Sequence, residues 1–384
     1  MQAKVTAYSL CNALGATTAG VLEHLRAGVT GLRPSPIDLP FETFCGAVPD
    51  PLEAGPAAYD TRQVRIGLRV LEELRPAIAA TARRWGSERV AIVLGTSTGG
   101  IAETERAYQG WRKTGSLPQG FDWDRKHAMA ALLEVFQRET GLRGPAFVLS
   151  TACSSSGKVF ASAQSLLESG ACDAALVGGV DSLCQTTLRG FHSLEVLARG
   201  KCQPFSSERR GISIGEGGAL ALLEREGDCA AALLGAGETC DAHHMTAPPP
   251  DGSGARAAMV EALGRAGLQP EEVDAVNAHG TGTLLNDAAE AKAIGSLLGA
   301  DVPVSSTKGY TGHMLGAAGA TEAIFSIAAI EQGFVPASVG ADPVDESLGI
   351  RVLTQRLDRR CRVVISNSLA FGGSNVSLVF GAAQ

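Results

Sequence analysis

The chain has 384 residues, of which 45% are hydrophobic and 19% charged, a balance typical of a globular protein with ample apolar material for a buried core. Its net charge of −7 argues against a general attraction to nucleic acid. The N-terminal segment lacks the apolar run of a signal peptide, and no stretch of about 18 apolar residues predicts a membrane span, so we expect a cytoplasmic protein.

The nine cysteines form an odd set, and no two of them have C-x-x-C spacing. That spacing would be typical of a zinc site or a redox dithiol, so we predict neither, and no metal site. In a reducing compartment most of these cysteines are expected to be small buried hydrophobes. At most one of them needs to be chemically special.

Short apolar runs rich in Val, Ile and Ala predict strands that are buried on both faces. In chain order they are Val90–Leu94, Ala146–Leu149, Ala174–Val177, Ala219–Leu223, Val273–Val276 and Val363–Ile365. Helical spacing of apolar residues, or a glycine that ends the segment, predicts helices between them. These are Arg62–Ala80, Ser154–Glu168, Arg256–Ala266 and Ala288–Leu298. The alternation of strands and helices indicates an α/β architecture.

A weak internal repeat accompanies this alternation. The strands that end at Leu94 and Val276 both run into loops rich in Gly and Thr, and the strands before Cys153 and Phe371 both run into loops rich in Ser. Two similar halves would bring these loops together at one site. The pattern alone leaves a duplication open.

Cys153 follows an apolar strand and precedes the predicted helix Ser154–Glu168, so it is expected to lie at a strand–helix corner. The N-terminus of a helix favours a thiolate through its dipole and its free N–H groups. A lowered thiol pKa makes a cysteine nucleophilic near neutral pH. A buried, unreactive thiol is the alternative, and the sequence at this corner leaves both open.

Two of the seven histidines lie in loops rich in Gly and Thr rather than on an apolar helix face. His279 follows a predicted strand and precedes Gly-Thr-Gly-Thr, and His313 ends the segment Lys-Gly-Tyr-Thr-Gly-His. Either one alone could be an ordinary loop histidine. Two such loops and a cysteine corner together indicate a shared catalytic site.

These segments closely resemble the elongating β-ketoacyl-[acyl-carrier-protein] synthases and the related polyketide ketosynthases of the thiolase superfamily. The matching pieces run nearly from end to end in the order of the family: Leu10-Cys-Asn-Ala-Leu-Gly, Ser150-Thr-Ala-Cys-Ser-Ser-Ser, Gly178-Gly-Val-Asp, Pro204-Phe-Ser-Ser-Glu-Arg-Arg-Gly, Gly215-Glu-Gly-Gly, Asp241-Ala-His-His-Met-Thr-Ala-Pro, Asn277-Ala-His-Gly-Thr-Gly-Thr, Asn286-Asp-Ala-Ala-Glu, Ser306-Thr-Lys-Gly-Tyr-Thr-Gly-His and Asn367-Ser-Leu-Ala-Phe-Gly-Gly-Ser-Asn. The resemblance implies a thiolase-like α/β fold of two duplicated halves, 1–225 and 226–384, in a five-layer α-β-α-β-α arrangement. It also implies decarboxylative condensation of a malonyl group with an acyl group held on Cys153.

By resemblance, Cys153 is the nucleophile, and His279 and His313 face the malonyl thioester. As neutral Nε2–H donors, the two rings would stabilise the enolate oxygen as its charge develops. A Cys-His-His set is closer to the elongating synthases than the Cys-His-Asn set of initiating ones. Lys308 resembles the lysine of this site, with an electrostatic task. Glu322 is its expected partner because a buried charge needs one, and a helix cap is the alternative for this glutamate.

The resemblance also assigns residues around the substrate. The backbone N–H groups of the nucleophile and of Phe371 are the expected oxyanion hole. The Phe371 ring is expected to gate access, in a loop made mobile by the glycines after it, and a plain core aromatic is the alternative. Thr281 and Thr283 are expected to bind the amides of pantetheine, and Asp287 and Glu290 to cap the helix that follows them.

Acyl carrier proteins are acidic, so a basic docking surface is expected. Arg62, Arg65 and Arg69 would line one helical face, and we predict that they form part of that surface, with an ordinary solvated face as the alternative. The substrates would arrive on the phosphopantetheine of the carrier, with no tightly bound cofactor. A homodimer is expected, or a heterodimer with a related ketosynthase-like subunit.

The chain departs from the family at several positions. Arg210 stands where the family usually has an acidic residue, and Ile212 where it has an aromatic one. Leu369 and Ala370 replace Phe and Gly before the gating ring. These changes favour a specialised polyketide or polyene pathway over housekeeping fatty acid synthesis.

Other functions compete with an active synthase. A non-catalytic, chain-length-determining partner, or a binder that only decarboxylates malonyl groups, would lack the nucleophile that Cys153 supplies. A thiolase would carry a second cysteine in the C-terminal loops, whereas Cys361 precedes a predicted strand. A cysteine protease would leave Lys308 and the second histidine without a task.

Overall fold

The structure, a computed structural model, describes residues 1–383 as a mixed α/β fold. Its strands are β1 Ala3–Asn12, β2 Arg33–Pro34, β3 Phe44–Gly46, β4 Val90–Gly95, β5 Ala146–Leu149, β6 Ala174–Asp181, β7 Ile214–Gly215, β8 Gly217–Glu224, β9 Ala231–Cys240, β10 Ala275–Asn277, β11 Pro303–Ser305, β12 Arg351–Val352, β13 Val363–Leu369 and β14 Ser374–Ala382. Its helices are α1 Thr18–Ala27, α2 Arg62–Trp85, α3 Ile101–Thr114, α4 Trp123–Lys126, α5 Ala131–Thr140, α6 Ser155–Glu168, α7 Gln185–Ser193, α8 Ser253–Ala266, α9 Leu284–Leu298, α10 Lys308–Thr311 and α11 Ala318–Gln332. Short 3₁₀ turns lie at Ser87–Arg89, Pro270–Glu272, Leu315–Ala317 and Glu346–Leu348.

One mixed sheet holds 11 strands in the order β12-β11-β10-β13-β14-β9-β1-β8-β6-β4-β5. The order repeats on either side of the contact between β1 and β9. From β1 outwards the sheet runs β8, β6, β4, β5, and from β9 outwards it runs β14, β13, β10, β11. Each side has antiparallel pairings first and parallel pairings after them. The chain thus contains two halves of the same strand order. The boundary between 225 and 226 stays a prediction, and it falls between β8 and β9.

Helices α6 and α11 contact each other between the two halves of the sheet. α6 packs on β4 and β6 of one half and on β9 and β14 of the other, while α11 packs on β13 and on β8. Helices α2 and α5 cover the outer face of the first half, and α8 and α9 that of the second. This is the five-layer α-β-α-β-α arrangement that the resemblance implied.

Small residues explain why α11 can lie in the middle layer. Every residue from Ala318 to Ile330 is buried, and most of them are Ala, Gly or Ile. A Cβ added to Gly319 would lie 2.5 Å from the backbone nitrogen of Gly157 in α6. The two helices therefore approach each other at glycines, and Glu322 is carried into the interior as a buried carboxylate.

The predicted strands and helices are present, with shifted bounds. β4, β6 and β8 are buried on both faces, as predicted. β5 is only half-buried, which corrects the prediction, because it is the last strand of the sheet and has a neighbour on one side only. α2 extends beyond the predicted end at Ala80, and α9 begins at Leu284 rather than at Ala288.

All nine cysteines are free thiols, and most of them are buried, as expected for reduced structural cysteines. Within residues 1–383, none of the helices combines the length and the apolar character that crossing a membrane requires.

Candidate active site

Cys153 occupies the predicted corner between β5 and α6. The strand ends at Leu149, and the helix begins at Ser155. Between them Ala152 has a φ of 51°, in the left-handed region that alanine rarely adopts. This turn places Cys153 in the wall of a cavity, with 7% of the residue exposed. The sulfur can therefore be reached by a narrow substrate arm while most of it is shielded from bulk water.

The surroundings of Cys153 correct one expectation. Burial raises the pKa of the Cys153 thiol to about 11, although the positive charge of Lys308 and the backbone N–H of Phe371 act in the opposite direction. The lowered pKa that we expected from the helix N-terminus is therefore wrong, because the cost of desolvating a thiolate at this buried position is larger than its stabilisation by Lys308 and the nearby backbone N–H groups. Near neutral pH the resting nucleophile is a thiol.

Two separate loops carry the histidines to one place, because His279 follows β10 and His313 follows α10. The ring centroids are 5.2 Å apart, and the ring planes are nearly perpendicular at 85°. One nitrogen of each ring and the sulfur of Cys153 all lie within 4.8 Å of one another. The three side chains thus surround a space of the size of a single thioester group.

Lys308 is 1% exposed and directs its ammonium group at the loop of His279. Its Nζ donates to Oε1 of Glu322 at 2.5 Å, to the carbonyl oxygen of His279, and to Nδ1 of His279 at 3.3 Å. These bonds use all three donors of the ammonium group. Because Nδ1 of His279 accepts a hydrogen bond, the proton of the neutral ring is on Nε2, where it can be donated to a substrate oxygen.

The surroundings hold both histidines in the neutral form. Burial lowers the pKa of His279 well below its usual value, and the charge of Lys308 adds to this effect. Burial and the same lysine also lower the pKa of His313. Neither ring nitrogen of His313 has a hydrogen-bond partner in the described part of the chain. A buried polar group without a partner is unfavourable, and such a group is free to bind a substrate atom.

Asp287 and Glu290 do not cap α9, which contradicts their expected role. Both lie inside this helix and accept hydrogen bonds from the loop before it. Glu290 accepts from the backbone N–H groups of His279 and Gly280, at 2.8 Å each, and Asp287 accepts from that of Gly282 at 3.1 Å. Burial raises the pKa of Glu290 to about 7. These carboxylates hold the histidine loop, a task whose signal in the sequence is two acidic residues in the helix after a Gly-rich loop.

Phe371 lies in the loop between β13 and β14. Its ring is 5.9 Å from that of Phe191, at an angle of 52°, and both rings line the cavity. Gly372 and Gly373 follow with φ values of 86° and 78°, which favour glycine. A Cβ added to Gly373 would lie 2.8 Å from Cβ of Asp241. The turn beside the aromatic ring therefore requires a residue without a side chain.

The cavity in front of Cys153 has a volume of about 340 Å³. Thr281 and Thr283 lie in its wall, with their hydroxyl oxygens 3.0 Å apart. Thr283 precedes α9, but its hydroxyl does not cap that helix, so it keeps hydrogen-bonding capacity for a ligand. Arg210 is exposed in the cavity wall and has no carboxylate partner among residues 1–383.

The arginines of α2 form ion pairs within the chain, and their expected part in a docking surface stays a prediction. Arg62 binds Glu216, whose side chain is fully buried, at 2.6 Å. Arg65 pairs with Asp60 at 2.7 Å, and Arg69 pairs at 3.0 Å with a glutamate on the next turn of the helix. These guanidinium groups pair with carboxylates of the chain itself, while 27% to 40% of each side chain stays exposed.

The potential ligand atoms of Cys153, His279 and His313 also lie close enough together to bind one metal ion. Thiolate and imidazole are ligands that zinc prefers. The ammonium group of Lys308, 3.3 Å from Nδ1 of His279, opposes a second positive charge at this place. The electrostatics therefore favour a developing anion between the rings over a cation.

Two family profiles match this chain. "Beta-ketoacyl synthase, N-terminal domain" covers residues 57–229, and "Beta-ketoacyl synthase, C-terminal domain" covers residues 230–342. Nodulation protein E of Rhizobium meliloti is 36% identical over 304 residues, which is 76% of this chain and 75% of that protein. The 3-oxoacyl-[acyl-carrier-protein] synthase 2 of Mycobacterium tuberculosis is 31% identical over 349 residues, or 84% of each.

Solved structures agree with these matches. A structure of the ketosynthase ApeO in complex with its chain length factor ApeC, from Xenorhabdus doucetiae, matches with a TM-score of 0.93 and 38% identity over 100% of this chain and 98% of that one. The ishigamide ketosynthase/chain length factor matches with a TM-score of 0.92 and 28% identity, over 100% and 99%. The profiles, the relatives and the fold together establish that this chain belongs to the beta-ketoacyl synthase family.

Proposed function

We propose that this chain is a β-ketoacyl-[acyl-carrier-protein] synthase that holds an acyl group as a thioester on Cys153. The condensing reaction is that of its family and makes the chain an acyltransferase of fatty acid or polyketide synthesis. One observation carries the assignment of the residues: the sulfur of Cys153 and a nitrogen each of His279 and His313 lie within 4.8 Å of one another. A nucleophile that lines a cavity argues against a non-catalytic, chain-length-determining role.

In the first half-reaction, the sulfur of Cys153 attacks the carbonyl carbon of an acyl thioester on the carrier. A carbon–sulfur bond to the enzyme forms, and the bond to the pantetheine sulfur breaks. The proton of the thiol passes to the departing pantetheine thiolate, which fits a nucleophile that burial keeps protonated at rest. Thr281 and Thr283 are the proposed partners of the pantetheine amides, since both hydroxyls lie in the cavity wall.

In the second half-reaction, the malonyl group loses CO₂ and the freed electron pair forms an enolate. Nε2–H of His279 and a ring N–H of His313 are the proposed donors to its oxygen, and one such donor is worth roughly 10²–10³ in rate. The enolate carbon attacks the acyl carbonyl carbon and forms the new carbon–carbon bond. The thiolate of Cys153 then departs and takes up a proton.

The tetrahedral intermediate of each half-reaction carries an oxyanion. The backbone N–H groups of Cys153 and Phe371 are the proposed donors to it, since both backbone groups already act on the sulfur and favour negative charge there. The ring of Phe371, beside that of Phe191, is the proposed gate. All steps balance with two thioester substrates and a proton, so we propose no tightly bound cofactor.

An acyl carrier protein is the proposed partner, because relatives such as the Mycobacterium protein are named for it. Arg210 supports this proposal, since it is exposed at the cavity and its charge is not neutralised by a carboxylate among residues 1–383. An acidic carrier would find complementary charge there. A cytoplasmic location is part of the same proposal.

A dimer is also proposed, of two copies or with a chain-length-factor subunit, because two similar solved structures pair a ketosynthase with such a factor. β5 supports it. This strand is the half-buried edge of the sheet and carries Phe147 and Val148, so its free side can pair with a second subunit.

Leu369 and Ala370 before the gate favour a specialised polyketide or polyene product.

The test supplies purified protein with an acylated carrier and then with malonyl carrier. We expect a carrier-bound β-ketoacyl product from the parent protein. His313→Ala is expected to retain acylation of Cys153 and to lose at least a hundredfold in condensation rate, on the order of one lost donor. If the same change abolishes acylation instead, the proposed division of tasks between Cys153 and His313 is wrong.

A further inference from the structure

Asp181, the last residue of β6, is a fully buried carboxylate that the proposed reaction does not use. The hydroxyls of Thr96 and Thr98 donate to its Oδ1 at 2.7 and 2.6 Å, and the backbone N–H of Ser97 donates to its Oδ2 at 3.0 Å. No basic side chain within residues 1–383 bonds to it, and burial raises the pKa of Asp181. Burying a carboxylate without a basic partner is unfavourable. The burial of Asp181 therefore suggests that this side chain has a function.

Ser97, whose backbone N–H binds Asp181, contacts the residue before the nucleophile. Oγ of Ser97 donates to the carbonyl oxygen of Ala152 at 2.8 Å. Ala152 is the residue with the φ of 51°, directly before Cys153. Oγ of Ser155 donates to the same carbonyl oxygen at 2.6 Å. A left-handed alanine persists only where its surroundings hold it, and two hydroxyl groups on one carbonyl supply such a restraint.

The loop after His313 rests on the same pair of residues. A Cβ added to Gly316 would lie 2.5 Å from the backbone nitrogen of Ser97 and 2.6 Å from Oδ2 of Asp181. Gly316 belongs to the 3₁₀ turn Leu315–Ala317, which closely follows His313. This close packing connects the histidine loop to the group that restrains the turn of the nucleophile.

We propose that Asp181 and Ser97 are positioning residues that set the distance between the sulfur of Cys153 and the ring of His313. The inference rests on the proposed function, because it concerns the same site. The carboxylate fixes the backbone of Ser97, the Ser97 hydroxyl fixes the turn before Cys153, and the packing at Gly316 fixes the histidine loop. Small errors in the placement of reacting groups slow a chemical step strongly, so this network acts on condensation rather than on substrate binding.

The test compares Ser97→Ala with Ser9→Ala. Ser9 is a matched control, a buried serine of β1 whose hydroxyl donates to the carbonyl oxygen of Val70, also at 2.8 Å, and it does not line the cavity. We expect Ser97→Ala to lower kcat of condensation about tenfold, with an unchanged KM for malonyl carrier. Both variants should melt at similar temperatures. Ser97→Thr keeps a hydroxyl group and should restore most of kcat.

A second readout does not depend on condensation. The rate of alkylation by iodoacetamide is followed against pH at the peptide that contains Cys153. Loss of the restraint moves the backbone N–H groups away from the sulfur, so the profile of Ser97→Ala should shift to higher pH, while Ser9→Ala should keep the parent profile. If Ser97→Ala equals Ser9→Ala in this profile and in kcat, the positioning role is overturned. If the parent protein forms no acyl adduct, the proposed function fails instead, and the alkylation profile still decides the positioning role.

Discussion

Nζ of Lys308 lies 3.3 Å from Nδ1 of His279 and also bonds to the carbonyl oxygen of the same residue. This contact has two effects on the ring. It leaves the proton on Nε2, and its charge adds to burial in lowering the pKa of His279. Glu322 neutralises the lysine from the other side at 2.5 Å. A fully buried ion pair thereby keeps the histidine neutral and correctly oriented.

Removal of the lysine should therefore affect condensation more than acyl transfer. We expect Lys308→Met to lower the single-turnover rate of condensation by about 10²–10³, because His279 loses its fixed tautomer and one donor is lost. The double variant Lys308→Met with Glu322→Gln removes both buried charges and separates this effect from instability, since an unpaired buried carboxylate is destabilising by itself. Condensation at the parental rate in either variant would contradict the role of Lys308.

The histidines also predict the pH dependence of condensation. The pKa of both rings is lowered from the ordinary 6.5. Protonation of His279 at Nδ1 would break its bond with Lys308, so activity is lost only when the pH falls through the lowered value. The limb that belongs to the histidines should thus have its midpoint below pH 6.5, and it is measured in Glu290→Gln, because burial raises the pKa of Glu290 on the same loop to about 7. The unfolded chain binds these protons first, so the contribution of the two histidines to stability should decrease as the pH falls below 6.5. An acidic limb centred at or above pH 6.5 in that variant would contradict the account in which both histidines are buried, neutral hydrogen-bond donors.

At the nucleophile, the sequence predicts the position of the residues but not the pKa of the thiol. The run of apolar residues before Cys153 and the helix after it predict a strand–helix corner. The Gly- and Thr-rich loops of His279 and His313 predict that both histidines lie in one site with this cysteine. The need of a buried lysine for a carboxylate also predicts Glu322 as the partner of Lys308, and the two side chains form an ion pair in the structure. The thiol pKa could not be predicted, because desolvation of the sulfur depends on walls supplied by distant loops such as that of Phe371.

The ion-pair partners of the arginines of α2 could not be predicted from the sequence either. The helical spacing of these arginines is local and can be read from the sequence, whereas Glu216, the partner of Arg62, is 154 residues away in the chain. Only the pairing of strands brings that carboxylate to the helix. The register of β1 against β9, which joins the two halves of the sheet, is likewise a property of the whole fold.

The pairing of Arg62 with Glu216 leads to a prediction about stability. Arg62→Ala leaves a buried carboxylate without its partner and should lower the free energy of unfolding by about 3–5 kcal/mol. Arg65→Ala breaks a more exposed pair with Asp60 and should cost about 0–1 kcal/mol. Urea denaturation of the two variants measures both values. Equal effects would contradict the structural role of Arg62.

Arg210 gives a prediction about docking. Arg210→Glu should raise KM for the carrier-bound substrates several-fold and leave kcat unchanged, because it repels an acidic partner without touching the reacting atoms. The control is Arg112→Glu, an exposed arginine near the end of α3 that does not line the cavity. The effect of Arg210→Glu should also shrink as the salt concentration increases. A change confined to kcat would place Arg210 in the chemistry instead of at the docking surface.

The acyl group on Cys153 is the intermediate that all these predictions share. Intact-protein mass spectrometry after mixing with an acylated carrier detects it directly. The parent protein should gain the mass of one acyl group, located by peptide mapping at Cys153, and Cys153→Ala should gain none. An adduct that persists in Cys153→Ala, or its absence from the parent protein, would contradict covalent catalysis at this site.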